Sequence, residues 1–391
     1  MPSIQALMTV VGFVCLGLAA GYAVVAVVAV LVWRMQRRPN KARTMPPVTV
    51  LKPLCGAEPG LHEHLRSFCR QDYPEFQIVF GVRDAGDPAC AVVKRLAAEF
   101  PSVPIELVIN PQLHGSNLKI SNLINMLPYA RHDILVMADS DAFVGTDYLA
   151  AVTAPLLDQD VGLVTCIYRG TPTKGIWSRL GAMYINEWYM PSVLLARLFG
   201  NREFASGQTM CLRRETLEAI GGLRSIAHHL ADDYKLGAAI RALGKEIVLS
   251  SYVPIARQYD PSLDGLIQHE TRWMRTIRVL RPGSFPFLFI TFSVPLAVIG
   301  FVLSTAEGPC IAAALALLAV CTGARVALHR LTKRAGDRAG RGGLWLVPLR
   351  DLLVCWVWCR AFLTTRVTWR GAEFEVDVHG VMSADEEPAS P

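Results

Sequence analysis

The feature that most constrains this chain is an uncharged apolar run, Ala6 to Trp33, followed at once by Arg34, Arg37, Arg38, Lys41 and Arg43 with no acid among them. A run of that length crosses the hydrocarbon core of a bilayer when it is helical. A cleaved signal peptide carries its basic residues in front of a shorter apolar core, so an uncleaved anchor is the better reading. The basic flank then puts the chain beyond the anchor on the cytoplasmic side. A buried helix of a soluble protein is the plainer alternative, but such helices rarely run so long. Composition points the same way, with 52% of the 391 residues hydrophobic and 18% charged. Soluble domains carry about 25% charged residues. Length predicts two or three units.

From Pro46 to about Gly244, short apolar runs alternate with helical patterns. Val48–Leu51, Phe76–Val82, Ile105–Ile109, Ile134–Ala138 and Val161–Cys166 read as strands. Gly60–Arg70, Ala89–Phe100, Asn117–Leu127 and Asp147–Leu157 read as helices. The alternation predicts an α/β fold with a Rossmann-like, mostly parallel sheet, whose functional residues follow the carboxyl ends of strands.

After Phe285 the pattern changes. Phe287–Ser304 and Pro309–Leu328, separated by a turn with Glu307 and Gly308, read as a membrane hairpin. The next segment carries Arg325, Arg330, Lys333, Arg334, Arg338 and Arg341 and is again expected to be a basic cytoplasmic loop. Leu344–Leu363 is apolar but contains Arg350, Asp351 and Arg360, charges costly in hydrocarbon, so an interfacial or re-entrant helix is favoured over a span. The expected organisation is an anchor over 1–33, an α/β domain over 34–284, a hairpin over 285–328 and a basic loop over 329–343. An interfacial helix and a Trp-Arg-Gly segment fill 344–380, and a disordered tail fills 381–391.

The ten cysteines have no metal-ligand spacing, and with the bulk of the chain cytoplasmic they are expected to be free thiols. His62, His64, His114 and His132 have no partner spacing and read as surface residues.

Acids gather where strands and helices meet. Asp84 follows the second strand in Asp84-Ala-Gly-Asp87, where its carboxylate suits a uracil or ribose but is also ordinary turn chemistry. Asp139-Ser140-Asp141 follows the fourth, and two such carboxylates can share one Mg²⁺ or Mn²⁺ bound to a diphosphate. Asp232-Asp233 opens a helix. One acid there is a cap; a second would raise the proton affinity of the first, which suits a general base acting on an alcohol. Lys119 starts a helix, either reaching a phosphate or nucleoside, or lying exposed behind a Ser116 or Asn117 cap. Arg272-Trp273, with His269 three residues before Arg272, lies on an amphipathic helix among other basic residues. Such a pair fits a diphosphate clamp and a ring platform, or a plain headgroup-binding face.

In this order the elements resemble the inverting GT-A glycosyltransferases with the pattern D, D(x)D, (E/D)D, (Q/R)xxRW, and more closely the ceramide glucosyltransferase family. Within it, Pro47-Val-Thr-Val-Leu-Lys-Pro-Leu-Cys-Gly-Ala-Glu-Pro59, Ser121-Asn-Leu-Ile-Asn-Met-Leu127 and Leu230-Ala-Asp-Asp-Tyr234 are similar to the bacterial hopanoid-biosynthesis-associated branch. The resemblance spans about residues 1–380, including Val367-Thr-Trp-Arg-Gly371. It implies Asp84 on the nucleoside, Asp139 on the diphosphate, Asp139 and Asp141 on a divalent cation, Asp233 as base, and Arg272 and Trp273 as the RW pair; Lys119 is a nucleotide-sugar candidate from its own place at a helix start. His269 departs from Gln or Arg at the first position of the last motif, where imidazole can still hydrogen-bond a diphosphate or hydroxyl. The partners implied are a UDP-sugar, a lipid acceptor and the bilayer of the inner membrane, and no nucleic acid. The branch implies UDP-N-acetylglucosamine and bacteriohopanetetrol; the wider family implies UDP-glucose and a sphingolipid. A processive synthase needs more membrane helices than come after the catalytic domain here. A transporter or membrane scaffold leaves the acids of a large α/β domain unexplained.

Overall fold

The computed structural model describes residues 4–36, 44–304, 310–332, 343–363, 366–369, 372–377 and 380–384. The expected turn at Glu307-Gly308, most of the basic loop and the end of the tail lie outside the described residues. The chain divides into two compact units. One comprises Met1–Arg37, Lys174–Gly200 and Asp260–Thr364; the other comprises Arg38–Thr173, Asn201–Tyr259 and Thr365–Pro391.

The second unit is built on a seven-stranded sheet. Its order is Ile105–Ile109, Phe76–Val82, Val48–Pro53, Ile134–Met137, Met210–Arg213, Val161–Thr165, Glu246–Leu249. All neighbours are parallel except Met210–Arg213, which runs antiparallel to both of its partners. Alternate residues of each strand enter opposite cores. Val48, Val50, Ile78 and Phe80 pack on one face, and Leu51, Val79, Leu135 and Met137 on the other. Burial on both faces is why these strands read as continuous apolar runs rather than alternating ones. The five strands and four helices expected from the sequence appear within a residue or two at most ends, although the helix from Tyr148 tightens into a 3-10 turn at Ala154–Leu157. Two small sheets accompany the large one: Ala142–Phe143, Ile255–Gln258 and Arg169–Pro172, and the C-terminal Arg366–Trp369, Ala372–Val376 and Met382–Ala384.

The first unit is helical. Ile4–Gln36 and Ile311–Thr332 are long and apolar enough to cross a bilayer. Ile4–Gln36 crosses the helix Ser293–Ser304 backbone to backbone: a Cβ on Gly12 would lie 2.5 Å from Ser304 N, and one on Gly300 2.7 Å from Leu16 N. Small residues allow such close crossings where lipid offers no hydrophobic drive.

The first arm of the expected hairpin, Phe287–Ser304, is not one helix. A 3-10 stretch, Phe285–Thr291, meets Ser293–Ser304 at a 76° bend, and the bent pair together would make a third span. Pro295 explains the break, since its ring would clash with the Thr291 carbonyl of a continuous helix. Gly175–Leu198, given no element from the sequence, is helical throughout, with a π segment at Ile185–Tyr189. Pro191, which has no N–H for the Glu187 carbonyl, comes just after that segment.

Arg350 and Asp351 lie on the helix Leu346–Leu363, and neither takes the other as partner. Arg350 pairs with Glu270, and Asp351 accepts from Arg325 at 2.6 Å. Arg325, expected in a basic cytoplasmic loop, is instead buried on the helix Ile311–Thr332 and paired with Asp351. It also lies 3.5 Å from Glu187, whose other oxygen is 2.5 Å from His329 Nδ1.

Candidate active site

The strand Ile134–Met137 delivers Asp139 to the carboxyl edge of the parallel sheet. There Asp139 meets Lys119, from the first turn of the helix Leu118–Met126. Asn117 caps that helix, its Oδ1 accepting from Ile120 N at 3.0 Å. The cap expected from the sequence is present, but Lys119 is not exposed behind it. Its Nζ lies 2.7 Å from Asp139 Oδ1 and 3.2 Å from Asp232 Oδ2, so one ammonium joins two of the acidic motifs. Burial works to lower the Lys119 pKa, but Asp139 and Asp232 outweigh it and hold it above the ordinary lysine range.

Asp233 stands at the start of the helix Asp232–Ala242. Its Oδ2 accepts from Gly207 N at 3.0 Å and its Oδ1 from Tyr234 N at 2.8 Å. Desolvation, and then the charge of Asp232, raise its pKa to about 6, against the pull of Lys119 and the two backbone N–H groups. Gly207 also leaves room for the charged groups beside it. A Cβ there would stand 2.8 Å from Lys119 Nζ and 3.0 Å from Asp139 Oδ2.

Asp141 is likewise raised to about 6, by desolvation first and the neighbouring Asp139 second, although Gln208 Nε2 donates to its Oδ1 at 2.9 Å. Lys52, near the end of the strand Val48–Pro53, is fully buried beneath this pair. Its Nζ donates to the Asp139 carbonyl and lies 3.8 Å from the centre of the Phe68 ring. Burial lowers its pKa to about 7, opposed by Asp141 and Asp139. Sequence reasoning passes over Lys52 and Gln208. For Lys52 a signal exists: a cation ending an apolar strand at the edge where functional residues gather. Gln208 has none.

Asp84 is exposed at the end of Phe76–Val82, and its Oδ1 accepts from Gly86 N at 2.8 Å. Among the described contacts it closes its own turn and does not join the Lys119 cluster. His64 corrects the surface reading: it is 2% exposed, and burial lowers its pKa to about 4. It occupies the apolar stripe of its helix with Leu61, Leu65 and Phe68. His114 also has a partner, Asn125 Oδ1, at 2.8 Å. All ten cysteines are thiols outside any disulfide.

His269, Arg272 and Trp273 lie on the helix Leu263–Leu280 of the first unit, capped by Ser262, whose Oγ accepts from Gly265 N at 3.1 Å. His269 and Trp273 rings are 4.1 Å apart, and Trp273 stacks on Tyr184 at 5.3 Å. His269 Nδ1 is 3.5 Å from Asp260 Oδ1.

Among the described residues no three His, Cys, Asp or Glu side chains form a metal cage. Asp139 and Asp141 still fit a divalent cation of the Mg²⁺ or Mn²⁺ kind, which takes one or two carboxylates and completes its shell with substrate phosphate and water. Their mutual repulsion, visible in the raised Asp141 pKa, is what a bound cation would relieve.

A parallel sheet with one antiparallel strand and acids at its carboxyl edge defines a GT-A-type glycosyltransferase fold. The mannosyltransferase PcManGT from Pyrobaculum calidifontis, solved in complex with GDP-Man and Mn²⁺, shares it. The TM-score is 0.55 at 19% identity, covering 91% of this chain and 99% of that one. Residues 13–382 match the model of glycosyl transferase family 21, and the chain belongs to that family. Ceramide glucosyltransferase 3 of Caenorhabditis elegans is 24% identical over 244 residues, 62% of this chain and 53% of the relative. Ceramide glucosyltransferase 1 of the same organism is 22% identical over 260 residues, 66% and 55% of the two chains. The chain thus spans about half the length of these curated relatives.

Proposed function

We propose that this chain is an inverting membrane glycosyltransferase that moves N-acetylglucosamine from UDP-N-acetylglucosamine to bacteriohopanetetrol, a polyhydroxylated triterpenoid. The observation that carries the chemistry is Asp233, a carboxylate raised to about 6 and held by two backbone N–H groups in a cluster with Asp139, Lys119 and Asp232. Such a group is ionised at neutral pH yet more basic than an ordinary aspartate, the compromise a general base needs.

In the proposed reaction Asp233 takes the proton of an acceptor hydroxyl as its oxygen attacks C1 of the α-linked sugar from the face opposite UDP. The C1–O bond to the diphosphate breaks, its electrons leave with UDP, and the new linkage is β. Asp139 and Asp141 would hold a divalent cation, which supplies positive charge to the diphosphate. Lys119 holds Asp139 and Asp232 in register and balances charge where four aspartates meet. Asp84 is proposed for the nucleoside, Arg272 for the diphosphate, and Trp273 and His269 for sugar or acceptor groups.

The acceptor rests on the resemblance of the three hopanoid-branch segments, two of which carry Lys52 and Asp232-Asp233, side chains in or next to the acidic cluster. The names of the Caenorhabditis elegans relatives favour a second reading, UDP-glucose with a sphingolipid. Membranes containing the protein, incubated with each labelled UDP-sugar and either lipid, separate the two. Label in bacteriohopanetetrol from UDP-N-acetylglucosamine alone supports the first reading, and label in ceramide from UDP-glucose alone overturns it. The basic residues flanking the anchor support an inner-membrane protein whose α/β domain faces the cytoplasm.

A further inference from the structure

The helix Leu263–Leu280 buries Leu266, Glu270 and Met274 along one stripe, at i, i+4 and i+8. Glu270 is 0% exposed, a rare place for a carboxylate unless it is paired. Its partner is Arg350, with Nη1 donating to Oε1 and Nη2 to Oε2, each at 2.6 Å. Arg350 is itself 2% exposed, and its Nη1 also donates to the Leu180 carbonyl at 3.1 Å. Its guanidinium lies 5.4 Å from the centre of the Tyr184 ring, and Tyr184 stacks on Trp273 at an interplanar angle of 29°. One guanidinium therefore grips this helix directly through Glu270 and supports Trp273 through Tyr184.

The spacing gives the grip a consequence. Residues two apart on a helix point about 200° from each other, and residues three apart lie on neighbouring positions of one face. Fixing Glu270 inward turns Arg272 to the other side and keeps Trp273 beside Tyr184. The fork is bidentate, so it resists rotation of the helix in a way that a point charge such as lysine does not.

We propose that Arg350 and Glu270 are a positioning pair that sets the rotation of the helix carrying Arg272 and Trp273, and so the aim of both side chains during transfer. This rests on the transferase reading above. The adjacent Arg325–Asp351 pair, also buried, supplies a control, because its described contacts run to Glu187 and Val294 rather than to this helix.

The test uses the full-length protein in lipid nanodiscs, with wild-type transfer measured first. No transfer by wild type from any UDP-sugar would overturn the function, not the pair. Given transfer, Glu270→Gln and Arg350→Lys should each lower kcat/KM by about 10–100-fold, the size expected when a reacting group is misaimed by roughly an ångström. The Glu270→Leu/Arg350→Met double variant removes both charges together, a change that buried pairs often tolerate in folding, and should show the same loss. Asp351→Asn should lower thermal stability but keep kcat per folded molecule within about twofold.

The decisive readout is non-additivity. In an Arg272→Lys background, Arg350→Lys should cost little more, because the pair acts through the aim of Arg272. Folded variants with kcat/KM near wild type would overturn the proposal, and so would losses that multiply in the Arg272→Lys background.

Discussion

Lowering the pH from 7 to 5 tests the proposed base most sharply. With Asp233 at about 6, about nine tenths of molecules carry its carboxylate at pH 7 and about one tenth at pH 5. Turnover at saturating substrate should therefore fall by about tenfold across this window. An aspartate at its ordinary value of about 3.9 would lose less than about a tenth. The sign comes from the cause. Desolvation and Asp232 both favour the protonated form, so activity is lost on the acidic side.

Asp141 titrates in the same range and would steepen the limb to two protons. Saturating Mn²⁺ should hold Asp141 ionised and leave one proton, which makes the slope diagnostic. Stopped-time assays of labelled lipid, with UDP affinity measured at each pH, separate turnover from binding. Asp233→Asn should reduce turnover by about 10²–10⁴-fold, leave UDP affinity within a few-fold, and remove the limb from any residual activity. A wild-type limb near pH 4, or an unchanged limb in Asp233→Asn, would refute the assignment.

Asp139→Ala and Asp141→Ala should each weaken metal-dependent UDP binding, and EDTA should mimic both in the wild type; full activity in EDTA would end the metal role. Gly207→Ala should change melting temperature little, since its Cβ would meet the mobile end of Lys119. It should still lower turnover by about tenfold or more by displacing that ammonium from Asp139, as kinetics alongside thermal denaturation would reveal.

A Cys placed at Thr368 should be blocked only by a reagent that enters the cytoplasm. Met382 N donates to the His228 carbonyl and Ser116 Oγ to the Met382 carbonyl, so the C-terminal strands stay on the side of the α/β unit. Crossings between Asp260 and Thr364 must then be even in number. If the bent pair and Ile311–Thr332 are the two crossings, Leu346–Leu363 adds none, as expected from its charges. Blocking by an impermeant reagent in intact cells would contradict this.

The large sheet was legible because strands buried on both faces leave unbroken apolar runs, and because Asp139 and Asp141 follow such a run directly. Glu246–Leu249 was not among the expected strands, nor was Met210–Arg213. The latter is four residues long, ends in a charge, and holds its place only by pairing between two distant strands. His64 was legible in principle, since it falls on the stripe of Leu61, Leu65 and Phe68. Arg350 and Asp351 read as costly charges, because hydrocarbon penalises an ion that lacks a partner. No local pattern reveals that their partners, Glu270 and Arg325, come from two other helices. Lys119 shows the same limit: its cap can be read from neighbours, but its bridge to Asp232 requires the fold.

An inverting transfer from a UDP-sugar to a lipid shows in the anomeric configuration of the product. Purified protein would be given UDP-N-acetylglucosamine or UDP-glucose with bacteriohopanetetrol or ceramide, and the glycolipid examined by proton NMR. A β-linked sugar on the lipid hydroxyl, formed by wild type and not by Asp233→Asn, is the predicted result. An α-linked product would contradict a single displacement with Asp233 as base, and transfer to neither lipid from either donor would contradict the proposed function itself.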